Sequence, residues 1–138
     1  MAEIQNPRFS DVQSILDAIL RNSHFGQSHP NGSPPPHRIF WRQTNDYEQD
    51  YQRFTTGLVP GVDIPIMNTA AGQALTSNFF VVLTSPDGLP DDGVSQMPDG
   101  GPFITDPGYE LTLADGRVMT GAETQASLRR WLQSGFPK

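Results

Sequence analysis

The stretch SDVQSILDAILRNSH, residues 10–24, decides how the rest of the chain is read. Ser10 is a good N-cap and Asp11 suits the positive end of a helix. Val12, Ile15, Leu16 and Ile19 then recur at the i, i+3, i+4, i+7 spacing of one helical face. The pattern predicts an amphipathic helix from about residue 11 to 22, closing on the pair Ser23-His24.

Beyond it, FGQSHPNGSPPP (25–36) is a loop full of breakers, stiffened at its end by three prolines and too short to link two domains. DYEQDYQRF (46–54) sets Tyr47, Tyr51 and Phe54 on one face of a short second helix that stops at Gly57, before Pro60. Residues 58–75 have no sustained period, and Pro60, Gly61 and Pro65 predict a wandering loop. SNFFVVLTS (77–85) is open between two readings: its β-branched and aromatic content favours a strand, whereas Ser77 as N-cap favours a buried helix. SPDGLPDDGVSQMPDGGPF (85–103) is almost all turn chemistry.

Near the end, Leu111 and Leu113 alternate with polar residues ahead of Asp115-Gly116, which predicts a small hairpin with a type I′ turn. Thr120 and Glu123 form a capping-box pattern for a last helix whose Leu128, Trp131 and Leu132 share a face. Gly135 followed by Pro137 ends it. No repeat period is visible.

At 138 residues the chain fits a single domain, 1–138. Glycine and proline contribute 13 residues each, so long loops are expected. Eight Phe and two Trp still supply large apolar faces for a core. The formal charge of −6, without a Lys/Arg cluster able to track a phosphate backbone, argues against nucleic acid. A mildly acidic surface serves solubility first and is compatible with docking on a basic protein patch. No run approaches the roughly 20 apolar residues of a membrane span. The start, MAEIQNPRF, has no signal-peptide pattern, so the sequence reads as cytoplasmic as it stands, and as periplasmic if a signal peptide has been removed. The absence of cysteine excludes disulfides and thiolate metal sites.

Three pieces stand in order: DVQSILDAILRNSH (11–24), MPDGGPFI (97–104), and LRRWLQSGFP (128–137). Together they resemble the small class I cytochrome c domains of bacteria. The first helix of those domains reads much like DVQxILxxxCxxCH, their distal loop carries Met-Pro-x-Gly-Gly-Pro, and their last helix ends in WIxxGxP. The resemblance implies a mainly α, cytochrome c-like helical domain with long loops and a small β-hairpin before the C-terminal helix. It also tips residues 77–84 from strand to helix. In this register the two thiol positions fall on Leu20 and Ser23, the proximal ligand on His24 and the distal ligand on Met97. His29, in the similar stretch FGQSH, is an alternative ligand that fits the helix length less well.

Without thiols, covalent haem c is excluded by composition. An imidazole and a thioether would remain as an axial pair for non-covalent haem b. An emptied haem volume, in contrast, must be filled, because a buried cavity costs on the order of 24 cal/mol per Å³. The expected fillers are Leu20, Phe25, Phe40, Trp41, Phe79, Phe80 and Phe103.

Blander chemistry competes at each position. A histidine at a helix C-terminus serves the dipole, and a methionine fills gaps in a core. His24, His29 and His37 lack the spacing and partners of a metal site, so no metal is expected. DGLPDDG (87–93) lacks the oxygen pattern of a calcium loop. No G-x-S-x-G and no phosphate-binding fingerprint occurs. What the resemblance implies is a haem-free accessory or protein-binding module that is not an enzyme, with a redox enzyme as partner and no cofactor. The alternative is an electron carrier holding haem b between His24 and Met97.

Overall fold

The computed structural model describes residues 4–23, 39–98 and 100–138. In them the chain is mainly α-helical, with one two-stranded antiparallel sheet. Helix α1 spans Phe9–Asn22 and α2 spans Tyr47–Thr56. Helix α3 spans Asn78–Thr84, strands β1 and β2 span Glu110–Thr112 and Val118–Thr120, and α4 spans Gly121–Gln133. Short 3-10 turns at Ala74–Thr76 and Pro90–Asp92 punctuate the loops.

The first helix begins earlier than Ser10 predicts. Arg8 is the N-cap, and its backbone N–H donates to Asp11 Oδ2 at 2.8 Å. The reason is packing: Phe9, in the first turn, is fully buried, and a start at Ser10 would leave its backbone outside the helix that carries it inward. The predicted apolar face is otherwise as expected, with Val12, Ile15, Leu16 and Ile19 all buried.

In α2 the Asp46 side chain caps Gln49 N–H at 3.1 Å. Tyr47, Tyr51 and Phe54 turn toward α1, where Phe9 meets the three rings at centroid distances of 5.6, 5.4 and 5.3 Å. The 77–84 run is a helix, with Phe79, Phe80, Val82 and Leu83 buried. Ser77 is its N-cap as expected, but the hydroxyl makes no capping bond and instead accepts from Asn68 N–H at 3.0 Å.

The hairpin stands where Leu111 and Leu113 placed it, but its turn is not type I′. Leu113 N–H donates to Arg117 O at 2.8 Å and Gly116 N–H to Leu113 O at 2.9 Å, so the loop has three residues. Only Gly116 carries positive φ, at 90°, which is the type I turn with a glycine bulge. Asp115 stays at negative φ because its carboxylate is committed to Arg117 N–H and guanidinium, each at 2.9 Å. The outer edge of β1 lies on the last turn of α1, where Arg21 and Asn22 donate to Thr112 O and Glu110 O.

The expected capping box opens α4, with Thr120 Oγ1 accepting from Glu123 N–H at 3.1 Å and Glu123 Oε1 from Thr120 N–H at 3.0 Å. Trp131 and Leu128 are fully buried. Past Gly135 (φ 89°), the tail folds back on the core. Pro137 O accepts from Trp131 Nε1 at 2.8 Å and from Phe9 N–H at 3.0 Å. Tyr51 Oη donates to Phe136 O at 2.6 Å.

One apolar cluster gathers side chains from Ile4 to Leu132, with Phe54 at its crossing point. The Phe54 ring is 4.9 Å from Phe79, 5.3 Å from Phe9, 6.0 Å from Trp131 and 6.1 Å from Phe40. Replacing Phe54 with Ala is expected to cost about 3–5 kcal/mol, the usual toll for truncating a fully buried phenylalanine. Urea unfolding checks this, and a loss below about 1 kcal/mol would remove Phe54 from the centre of the core.

Candidate functional site

The residues proposed as a ligand pair and as fillers divide into two groups. His24, its alternative His29, and Phe25 lie outside the described residues, as does His37. Met97 and the remaining aromatic positions are described, and the molecule does not use them all alike.

Phe40, Trp41 and Phe79 come together. Phe40 stacks on Phe54, with ring planes 17° apart, and meets Trp41 edge-on at 5.0 Å. Trp41 is held from outside by α1: its indole N–H donates to Asp17 Oδ1 at 2.7 Å, and Gln13 Nε2 donates to Trp41 O at 2.8 Å. Arg42 closes the same carboxylate with contacts of 2.7–3.1 Å. Leu20 is half-buried at the end of α1 and packs on the core. Phe80 sits one layer out, 6.5 Å from Phe79, with the Arg129 guanidinium 5.8 Å over its face.

Phe103 departs from expectation. It is half-buried and makes no ring contact among the described residues, lying instead beside Gly101 with its N–H donated to Asp106 Oδ2 at 2.8 Å. A reciprocal bond from Asp106 N–H to Phe103 O holds it in a surface turn. The residue that sequence reasoning missed is Phe54. It was placed on an apolar helix face, yet nothing in a helical period says that one ring of that face will be shared by four others.

Met97 is half-buried and packs on the core from its rim. Its loop is held by a main-chain bond and by the Gln96 side chain. Met97 N–H donates to Val82 O at 2.8 Å, and Gln96 Nε2 donates to Leu83 O at 3.1 Å and to Thr105 Oγ1 at 2.9 Å. These bonds satisfy carbonyls in the last turn of α3, which helix geometry leaves open. Downstream, Ile104 O accepts from Gln125 Nε2 at 3.3 Å and lies against Gly121, where a Cβ would collide with it. The methionine loop is thus clamped between the end of α3 and the start of α4.

Upstream, the turn from Ser85 to Gln96 closes on itself through paired bonds between Leu89 and Val94. Gly88 lies inside that turn at φ 61°, and a Cβ there would strike the Val94 carbonyl, Ser95 C and Gln96 N. Gly88→Ala is therefore expected to lose more than about 1 kcal/mol, since both the backbone conformation and the space are wrong for a side chain. A thermal melt that superimposes on the parent's would show that the turn does not set the loop.

Tyr109 lies between the loop and β1, 6% exposed. Its hydroxyl is buried and has no hydrogen-bond partner among the described residues. The Asn22 side-chain amide, which donates to Glu110 O at 3.3 Å, lies beside it. Burial pushes the phenol above its ordinary range, Asn22 opposes the rise, and Asp106 adds to it. A surface depression of about 350 Å³ opens nearby, lined by residues such as Tyr109, Glu110, Gly121 and Gln125.

The unfolded phenol ionises near pH 10 and the folded one later, so stability is complete below about pH 10 and is lost as pH rises toward the folded value. Tyr51, also raised by burial, acts in the same direction. Tyr109→Phe is expected to shrink the alkaline loss and to leave stability at pH 7 equal or higher, because an unpartnered buried hydroxyl is removed. Urea midpoints at pH 7 and pH 10.5 measure both effects.

Among the described residues, no group of three or more His, Cys, Asp or Glu side chains is placed to hold a metal ion. No described helix is long and apolar enough to cross a membrane. No protein-family model matches the chain, nor does any curated protein or solved structure.

Proposed function

We propose that this chain is a haem-free, cytochrome c-like accessory module that acts by binding another protein, a redox enzyme. The observation that carries the reading is the aromatic centre. Phe40, Phe79, Phe9 and Trp131 close on Phe54 within 4.9–6.1 Å, and this ring-on-ring packing supports a core built from side chains rather than around a flat macrocycle. The element order supports the same reading: an N-terminal helix, a methionine-bearing loop, a hairpin, and a last helix whose buried Trp131 lies 6.3 Å from Phe9. The fold analogy contributes the accessory role, and the net charge of −6 favours a partner with a basic face.

The test is a hemin titration of the purified protein in both oxidation states. The expected result is a colourless protein with no saturable Soret shift. A stoichiometric shift with sharp low-spin bands, abolished by His24→Ala, would overturn the reading and make the chain an electron carrier ligated by His24 and Met97.

A further inference from the structure

We propose that the Met97 thioether is an oxidation-sensitive latch, whose conversion to the sulfoxide opens the main-chain bond from Met97 to Val82 in the last turn of α3. The proposal rests on the packing of Met97 and is independent of the docking role above.

The described methionines differ in their surroundings. Met119 is fully buried and Met67 is 6% exposed, whereas Met97 stands at the rim of the core, part open to solvent. Of these three, Met97 is the most open to a peroxide. The sulfur lone pair attacks one peroxide oxygen, the O–O bond breaks, an S–O bond forms and water leaves. The sulfur is oxidised by two electrons and the peroxide is reduced by two.

The consequence follows from where the side chain sits. A thioether suits an apolar contact, and a sulfoxide is polar and disrupts it. Met97 is also the residue whose own N–H closes on Val82 O at 2.8 Å, so expelling its side chain draws away the donor that satisfies the last turn of α3. The neighbouring anchors do not depend on the sulfur. Gln96 keeps its bonds to Leu83 O and Thr105, and the Leu89–Val94 pair closes the preceding turn. The release is consequently local: the loop loosens at Met97 while the core stays folded.

The experiment treats the full chain with hydrogen peroxide, locates the oxidised methionines by fragment-ion mass spectrometry, and follows amide hydrogen exchange. Met97 is expected to oxidise well ahead of Met67 and Met119. In the oxidised protein its amide is expected to exchange about five- to tenfold faster, as the loss of one net hydrogen bond implies, with α4 amides unchanged. Methionine sulfoxide reductase should restore protection. Met97→Leu keeps the apolar contact without the sulfur and should show no response to peroxide. Equal oxidation of Met67, an unchanged Met97 amide in protein carrying the Met97 sulfoxide, or a persisting response in Met97→Leu would each overturn the proposal.

Discussion

The ring of Phe54 is the one that side chains from all four helices share. It comes from the short helix α2, whose other residues are largely polar, and it is wholly buried. Around it stand Phe9 from α1, Phe79 from α3, Trp131 from α4 and Phe40 from the segment that precedes α2. Most of these contacts are tilted or edge-to-face, the arrangement in which the positive rim of one ring meets the negative face of another. Each helix is short, and helices of this length hold together through the apolar face they share rather than through intrinsic propensity.

Polar ties hold that packing in register. Pro137 O takes hydrogens from both Trp131 Nε1 and Phe9 N–H, so one carbonyl of the tail joins the last helix to the first. On the opposite side, Asp17 and Gln13 of α1 grip Trp41 by its indole and its carbonyl oxygen. These bonds satisfy groups that burial would otherwise strand, which makes them a condition of the aromatic packing rather than an addition to it. Tyr109 is the contrast: its buried hydroxyl lacks such a partner among the described residues, and burial raises its pKa.

The methionine loop obeys a different constraint. Its shape is set by main-chain bonds, by the Gln96 side chain, and by the absence of side chains at Gly88 and Gly121, where a Cβ would meet a carbonyl. That leaves the Met97 side chain free of any structural duty except its contact with the core. A residue held by its backbone and exposed in part at its side chain is suited to a chemical role, whether as a ligand or as a target of oxidation.

Local patterns in the sequence were sufficient for most elements. The 3.6-residue spacing of Val12, Ile15, Leu16 and Ile19 determined α1, the Thr120–Glu123 box determined the start of α4, and Leu111 with Leu113 determined a hairpin ahead of it. Each of these depends on residues a few positions apart, which is the range over which backbone hydrogen bonding and side-chain periodicity act. The tertiary structure decided what lies beyond that range. It moved the start of α1 back to take in Phe9, chose helix over strand for 78–84, and replaced a two-residue turn with a three-residue one once Asp115 had bonded to Arg117. It also made Phe54 central and left Phe103 at the surface, a distinction two phenylalanines do not carry in their own neighbourhoods. Which ring is enclosed depends on the faces that chains distant in sequence bring to it, and burial is a property of that assembly rather than of any stretch of residues.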